Sequence, residues 1–154
     1  MTGKAIQTYE CRLRKARVLR LADVGGVTRI GCCDELVLAA QAAMRDLPHE
    51  QVWLFLLNGR NDVQGAIRIG EGGLHGCALR PVDVLRPAML AGASAVALAH
   101  NHPSGDATPS AADVEMTRTL KEACELVGIY LLDHVIVTAN PNVFTSMFRS
   151  LENW

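Results

Sequence analysis

The densest run of chemistry-capable side chains is Ala99-His100-Asn101-His102-Pro103-Ser104-Gly105-Asp106-Ala107-Thr108-Pro109-Ser110-Ala111-Ala112-Asp113. It lies between a short apolar run, Ala95 to Ala99, and a helical pattern reaching about Val127. Side chains two apart on a strand point the same way. His100 and His102 are therefore expected on one face of a strand end, as a chelating pair needs. Met116, Leu120, Ala123, Cys124 and Val127 recur at helical spacing, and Asp113 falls on their stripe in the first turn. An inward carboxylate is costly unless something pairs with it. Two imidazoles and one carboxylate make a three-ligand zinc site with one position left for water, the catalytic pattern. Zinc lowers the pKa of that water to about 7 and so supplies a nucleophile at neutral pH. A plainer reading uses the same residues. Ser110-x-x-Asp113 has capping-box spacing, with Thr108 or Ser110 as the cap, and Asn101, Pro103, Ser104 and Gly105 are turn residues.

His-x-His, seven residues, Ser, two residues, Asp resembles the JAMM (MPN+) zinc metallopeptidase motif. The version His-Asn-His-Pro-Ser-Gly-Asp resembles the RadC branch, as does Ile129-Tyr130-Leu131-Leu132-Asp133-His134-Val135-Ile136-Val137. The likeness runs from about Leu47 to Phe148. It implies that His100, His102 and Asp113 hold zinc, and that Ser110 donates to the developing oxyanion. It also implies that Glu50 is the general base, passing a proton from the zinc-bound water to the leaving amine. Glu71 and Asp83 are the competing acids, and Glu50 is preferred. His49 reads as a surface residue. The implied fold is α/β, of the cytidine deaminase-like, MPN type: a curved, mostly antiparallel mixed sheet flanked by helices. The chain departs from the RadC pattern, usually His-Pro-Arg-Glu, at Arg80-Pro81-Val82-Asp83.

The elements that must position these residues follow in order. Val24-Gly25-Gly26-Val27 is a turn or link, and no Lys-Ser/Thr follows to make it a phosphate loop. Asp34 is expected to cap a helix from about Glu35 to Asp46 whose apolar face uses Leu36, Val37, Ala40, Ala43, Met44 and Leu47. Pro48 stops it. Gln51 to Leu57 is nearly all apolar, the mark of a strand buried on both faces. Asn58-Gly59 turns it back into a strand over Val63 to Ile69. Gly70-Glu71-Gly72-Gly73 allows close approach of a substrate or an edge strand. His75 reads as a loop histidine. A helix from about Val82 to Ala91 ends at Gly92. Ser94 to Ala99 is the central strand, and the helix after the motif ends at Gly128. Ile129 to Thr138 is another strand, in which Asp133 and His134 face opposite ways. His134 then reads as a buried, hydrogen-bonded residue behind the metal. Val143-Phe144 is a short last strand, and Ser146 to Leu151 a terminal helix.

At 154 residues, with 49% hydrophobic and 20% charged side chains, the chain reads as one soluble globular domain. We divide it into residues 1–33, a basic strand and linker, and residues 34–154, the RadC-like JAB/MPN domain. No apolar run is long enough to span a membrane and no signal-peptide core opens the chain, so a cytoplasmic protein is expected. The five cysteines, Cys11, Cys32, Cys33, Cys77 and Cys124, are odd in number and contain no Cys-x-x-Cys. That argues against a disulfide framework and against a four-cysteine zinc site. Cys77 and Cys124 read as small core residues.

Net charge is −1, yet the first twenty residues carry six cations, Lys4, Arg12, Arg14, Lys15, Arg17 and Arg20, against Glu10 alone. A basic arm can meet nucleic acid. The same charges also protect an edge strand from pairing, and the small total charge weakens non-specific DNA binding.

Three functional readings follow. The first is a zinc-dependent metallopeptidase or isopeptidase acting on a peptide or protein conjugate. The second is a DNA-repair-associated or DNA-binding protein of the RadC type. Longer RadC relatives carry a helix-hairpin-helix segment ahead of this domain; this sequence reads as too short for one, so DNA binding by that route is not expected. The third is a metal-free MPN interaction module, whose members usually lack part of the ligand set kept here. His-Asn-His in one tripeptide is not an HNH nuclease, and the missing Pro-Cys-x-x-Cys excludes a deaminase.

Overall fold

A computed structural model describes residues 24–44, 47–72 and 79–150. The basic arm, Cys11, His75, Cys77 and Leu151 lie outside the described residues. Nine elements follow: α1 (Cys33–Met44), β1 (Gln51–Leu57), β2 (Val63–Glu71), α2 (Pro81–Ala91), β3 (Ala95–Asn101), α3 (Ala111–Leu126), β4 (Tyr130–Val137), β5 (Phe144–Ser146) and α4 (Met147–Ser150).

The strands form one mixed sheet in the order β2-β1-β3-β4-β5. Three of its four pairings are antiparallel, and β3 with β4 is parallel. A parallel pair needs a crossover, and α3 supplies it. Period-two alternation sorts the sheet into two apolar layers. Phe55, Leu57, Ala97, Ala99, Val135 and Val137 pack with α1. Val52, Leu54, Leu56, Val96 and Leu98 pack with α2 and α3 through Val84, Ala88, Leu120 and Cys124. β1 and β3 are buried nearly throughout, as their apolar runs require.

Several boundaries differ from the sequence reading, each for a local reason. β3 runs on to Asn101, so His100 lies inside the strand. α1 begins at Cys33, which puts Asp34 inside the first turn instead of at the cap. The neighbouring Glu35 carboxylate takes the Gly31 N–H at 2.6 Å and satisfies that helix start. On α3 the buried positions are Asp113, Thr117, Leu120 and Cys124. Met116 is only partly buried, and Val127 is the exposed C-cap. Gly128 (φ +72°) closes α3, with the Ile129 N–H reaching back to Cys124 O at 3.0 Å, the left-handed ending that favours glycine. Cys124 is buried as expected, and burial pushes its thiol up to about 11.

Candidate metal centre

The strand-to-helix junction β3–α3 brings the two histidines and the aspartate together. Val52 faces His100 across β1 and β3, which puts His100 on the α3 side of the sheet. His102 follows the strand end, anchored by its N–H to Val137 O on β4 (2.9 Å). Asp113 is the third residue of α3 and is buried, 1% exposed. His100 Nε2 lies 3.0 Å from His102 Nε2 and 3.4 Å from Asp113 Oδ1. One donor atom from each of the three lies within 4.8 Å of the others, so the group could hold a metal ion.

The surrounding hydrogen bonds decide where the protons are. Thr117 Oγ1 lies 2.6 Å from Asp113 O, and a carbonyl only accepts, so the hydroxyl proton is spent there. His134 Nδ1, 2.6 Å from Thr117 Oγ1, must then donate to that hydroxyl oxygen. Burial holds His134 neutral, with its pKa well below the usual value, and His100 and His102 add to that. Its Nε2 is thus a lone pair and accepts from His100 Nδ1–H at 2.7 Å. His100 is also neutral near pH 7. Burial lowers its pKa to about 4, against an opposing pull from Asp113. The relay leaves His100 Nε2 as a bare lone pair facing the site.

A separate loop fixes His102. Its Nδ1 donates to Asp106 O at 2.7 Å, which in the neutral ring places the lone pair on Nε2, toward the site. Asp106 is pinned in turn by Thr108, whose N–H and hydroxyl bond its carboxylate at 2.9 and 2.6 Å. Gly105 (φ +84°) gives the loop its left-handed turn.

Ser110 caps α3 and orients Asp113. Its N–H and hydroxyl donate to Asp113 Oδ2 at 2.8 and 2.6 Å, and its oxygen accepts from the Asp113 N–H at 3.2 Å. The capping-box reading therefore holds, and it is compatible with the ligand reading. One carboxylate oxygen serves the helix start. The other, Oδ1, is a buried acceptor with no hydrogen-bond partner. The two imidazole Nε2 atoms and this carboxylate oxygen converge on one point. That arrangement is unfavourable unless a cation sits between them, and two imidazoles plus a carboxylate are a donor set that zinc accepts.

The other acids and histidines lie around this point as follows. His134 is buried and bonded to a candidate ligand, as expected, and Asp133 faces the other layer, bonded to Ser146 at 2.6 Å. Glu71 is engaged by His49 (2.8 Å) and Arg68 (3.2 Å), and the His49 bond leads in lowering its pKa. It pairs with Gln51, on the layer away from the histidines. Asp83 is held by Arg80 at the start of α2. Glu50 precedes β1 and continues its ladder with β2, its carbonyl accepting from Gly72 N–H at 2.9 Å. Strand alternation assigns residue 50 to the same layer as Val52 and His100. Sequence reasoning missed Thr117 and misread Asn101, which is a buried strand residue and not part of a turn. Thr117 had a usable signal, since it lies one helical turn beyond Asp113.

A profile of the RadC-like JAB domain matches residues 30–152. The chain belongs to the RadC-like JAB domain family. Similar relatives are UPF0758 proteins. One from Aromatoleum aromaticum is 46% identical over 68% of this chain and 47% of its own length. One from Geobacter sulfurreducens is 43% identical over 62% of this chain and 42% of its own. A third, from Desulforamulus reducens, is 38% identical over 83% of this chain and 56% of its own. The chain spans about half the length of the curated relatives it matches. The mixed five-strand sheet with flanking helices agrees with a JAB fold. No described helix is long and apolar enough to cross a membrane.

Proposed function

We propose that this RadC-like JAB domain is a zinc-dependent hydrolase that cleaves an amide bond in a peptide or an isopeptide-linked protein conjugate. The observation that carries the reading is the buried Asp113 Oδ1, without a hydrogen-bond partner, beside the Nε2 atoms of His100 and His102. His100, His102 and Asp113 would hold the ion. Zinc at such a site polarises a carbonyl and lowers the pKa of a water to about 7.

The chain's own residues do the rest. Glu50 takes the proton of the attacking water and delivers it to the departing amine nitrogen, so that no free amide anion has to leave. Two facts support Glu50 over its competitors: Glu71 lies on the other layer, and Asp83 is committed to a helix start. Ser110 donates to the oxyanion that forms on the attacked carbonyl. Its proton rests on Asp113 Oδ2, and a carboxylate shared with a cation holds that proton less strongly. His134 and Thr117 keep His100 in the binding tautomer throughout. The complete ligand set favours this reading over a metal-free interaction module. A cytoplasmic location goes with the reading.

Elemental analysis of the purified chain tests it. About one zinc per chain is expected, lost in His102→Ala and kept in Glu50→Gln. A peptide and isopeptide screen should then find turnover in the parent and none in Glu50→Gln. A chain that takes up no zinc when supplied with it overturns the reading.

A further inference from the structure

Asn101 stands between the two histidines, yet its side chain serves another strand. Its Oδ1 accepts from Gln51 N–H at 2.8 Å, and its Nδ2 donates to His49 O at 3.1 Å. These two backbone groups flank Glu50 on either side. In a parallel ladder, one residue takes the N–H after its partner and gives its own N–H to the carbonyl before it. The Asn101 amide reproduces that pattern with residue 50 at its centre, at the point where the antiparallel β1–β3 pairing stops at Val52 and His100. Gly72 N–H holds the Glu50 carbonyl from the β2 side. The backbone of residue 50 is thus fixed from both neighbouring strands.

We infer that Asn101 is a positioning residue: its amide sets the position of Glu50 relative to the metal ligands that flank Asn101 in sequence. The inference rests on the hydrolase reading above, with Glu50 as its base. The chemistry explains the residue type. Only an amide both accepts and donates at this reach, whereas aspartate only accepts and alanine does neither. Asn101 is buried, so water is poorly placed to replace it. One tripeptide then carries two ligands on one side and the tether of the base on the other, so base and ion keep their separation when the strand moves.

Two measurements test this. In the metal-free chain, amide exchange at Gln51 should quicken roughly tenfold or more in Asn101→Ala, and less in Asn101→Asp, which keeps one of the two bonds. In the chain loaded with cobalt, a spectroscopic stand-in for zinc, the visible spectrum is followed from about pH 5 to 9. Glu50→Gln should move its pH midpoint. Asn101→Ala should move it the same way by roughly half a pH unit or more, with cobalt uptake unchanged. A parental midpoint in Asn101→Ala, beside a moved midpoint in Glu50→Gln, overturns the inference and leaves the hydrolase reading standing. A parental midpoint in Glu50→Gln removes Glu50 as base, and the role of Asn101 falls with it. Should Asn101→Ala fail to fold, Asn101→Ser, which adds no charge and is too short to reach both backbone groups, decides in its place.

Discussion

Thr117 shows what a single hydroxyl does in this site. It spends its proton on Asp113 O and accepts the His134 proton, and that choice propagates through His134 to the bare nitrogen of His100. Thr117→Val keeps the shape and removes the acceptor, leaving a buried His134 N–H unpaired. We expect it to lower stability by about 1–3 kcal/mol. Groups behind a metal ligand typically govern roughly 10–100-fold of affinity, so zinc binding in competition with a chelator should weaken by that order. Thr117→Ser keeps the hydroxyl and should bind nearly as the parent does. Equal zinc affinity in the valine and serine variants would remove the relay from the site's design.

The same scale shows what was readable beforehand. His100, His102 and Asp113 were legible because their chemistry is packed into one stretch and needs only strand and helix periodicity to converge. His134 contributes from a parallel strand, 34 residues from His100. Its burial was readable from its strand, but its contact depends on a pairing register that no local pattern prints. Asn101 reads as a turn residue because the apolar run ends at Ala99, whereas β3 continues to Asn101. Two further residues of strand turn a loop asparagine into a buried one.

At the scale of elements, the α2 start accounts for the departure at Arg80-Pro81-Val82-Asp83. Pro81 supplies a preset first helical residue. The Asp83 carboxylate accepts from the Arg80 N–H at 3.1 Å and pairs with its guanidinium at 3.3 Å. The segment is thus a self-contained helix start, with Val84 and Ala88 delivered to the core behind it. The Arg80 side-chain bond, then the Arg80 backbone bond, lowers the Asp83 pKa below its ordinary 3.8. A carboxylate with a depressed folded pKa stabilises above its unfolded pKa and loses that contribution as pH falls through the folded value. Asp83→Ala should therefore cost about 1 kcal/mol near neutral pH, a typical cap loss. The difference from the parent, read by urea denaturation, should narrow below about pH 4 as the parental carboxylate protonates. A penalty that stays constant into acid would mean that packing, not the charged start, is what the substitution removes. The element types and their order were legible because hydrophobic period and glycine stops agree along most of the chain. Helix starts were harder, since Asp34 reads as the cap and only the backbone path at Gly31 brings the Glu35 carboxylate back onto the helix start.

At the scale of the whole molecule, the candidate ligands tie different structural units together. His100 belongs to the central strand, His102 to the loop beyond it, and Asp113 to the crossover helix. That helix also packs Leu120 and Cys124 against the sheet. An ion bound there joins strand, loop and helix, and it relieves three acceptors that otherwise face one another. Folding should therefore gain from loading, since a ligand bound only by the native state stabilises it by RT ln(1 + [L]/Kd), about 2.7 kcal/mol at a hundred times Kd. For a chain of this size, roughly 2–4 °C of melting temperature accompanies each kcal/mol. Zinc should raise the midpoint by roughly 5–10 °C in the parent. Glu50→Gln should show the same rise, because the ligands are intact. His102→Ala should show almost none. A full rise in His102→Ala would place the stabilising ion elsewhere on the chain. A parent that binds zinc without any rise would mean that the unfolded chain binds it as well. The comparison therefore separates a centre built by the fold from histidines and cysteines that bind an ion wherever they meet it.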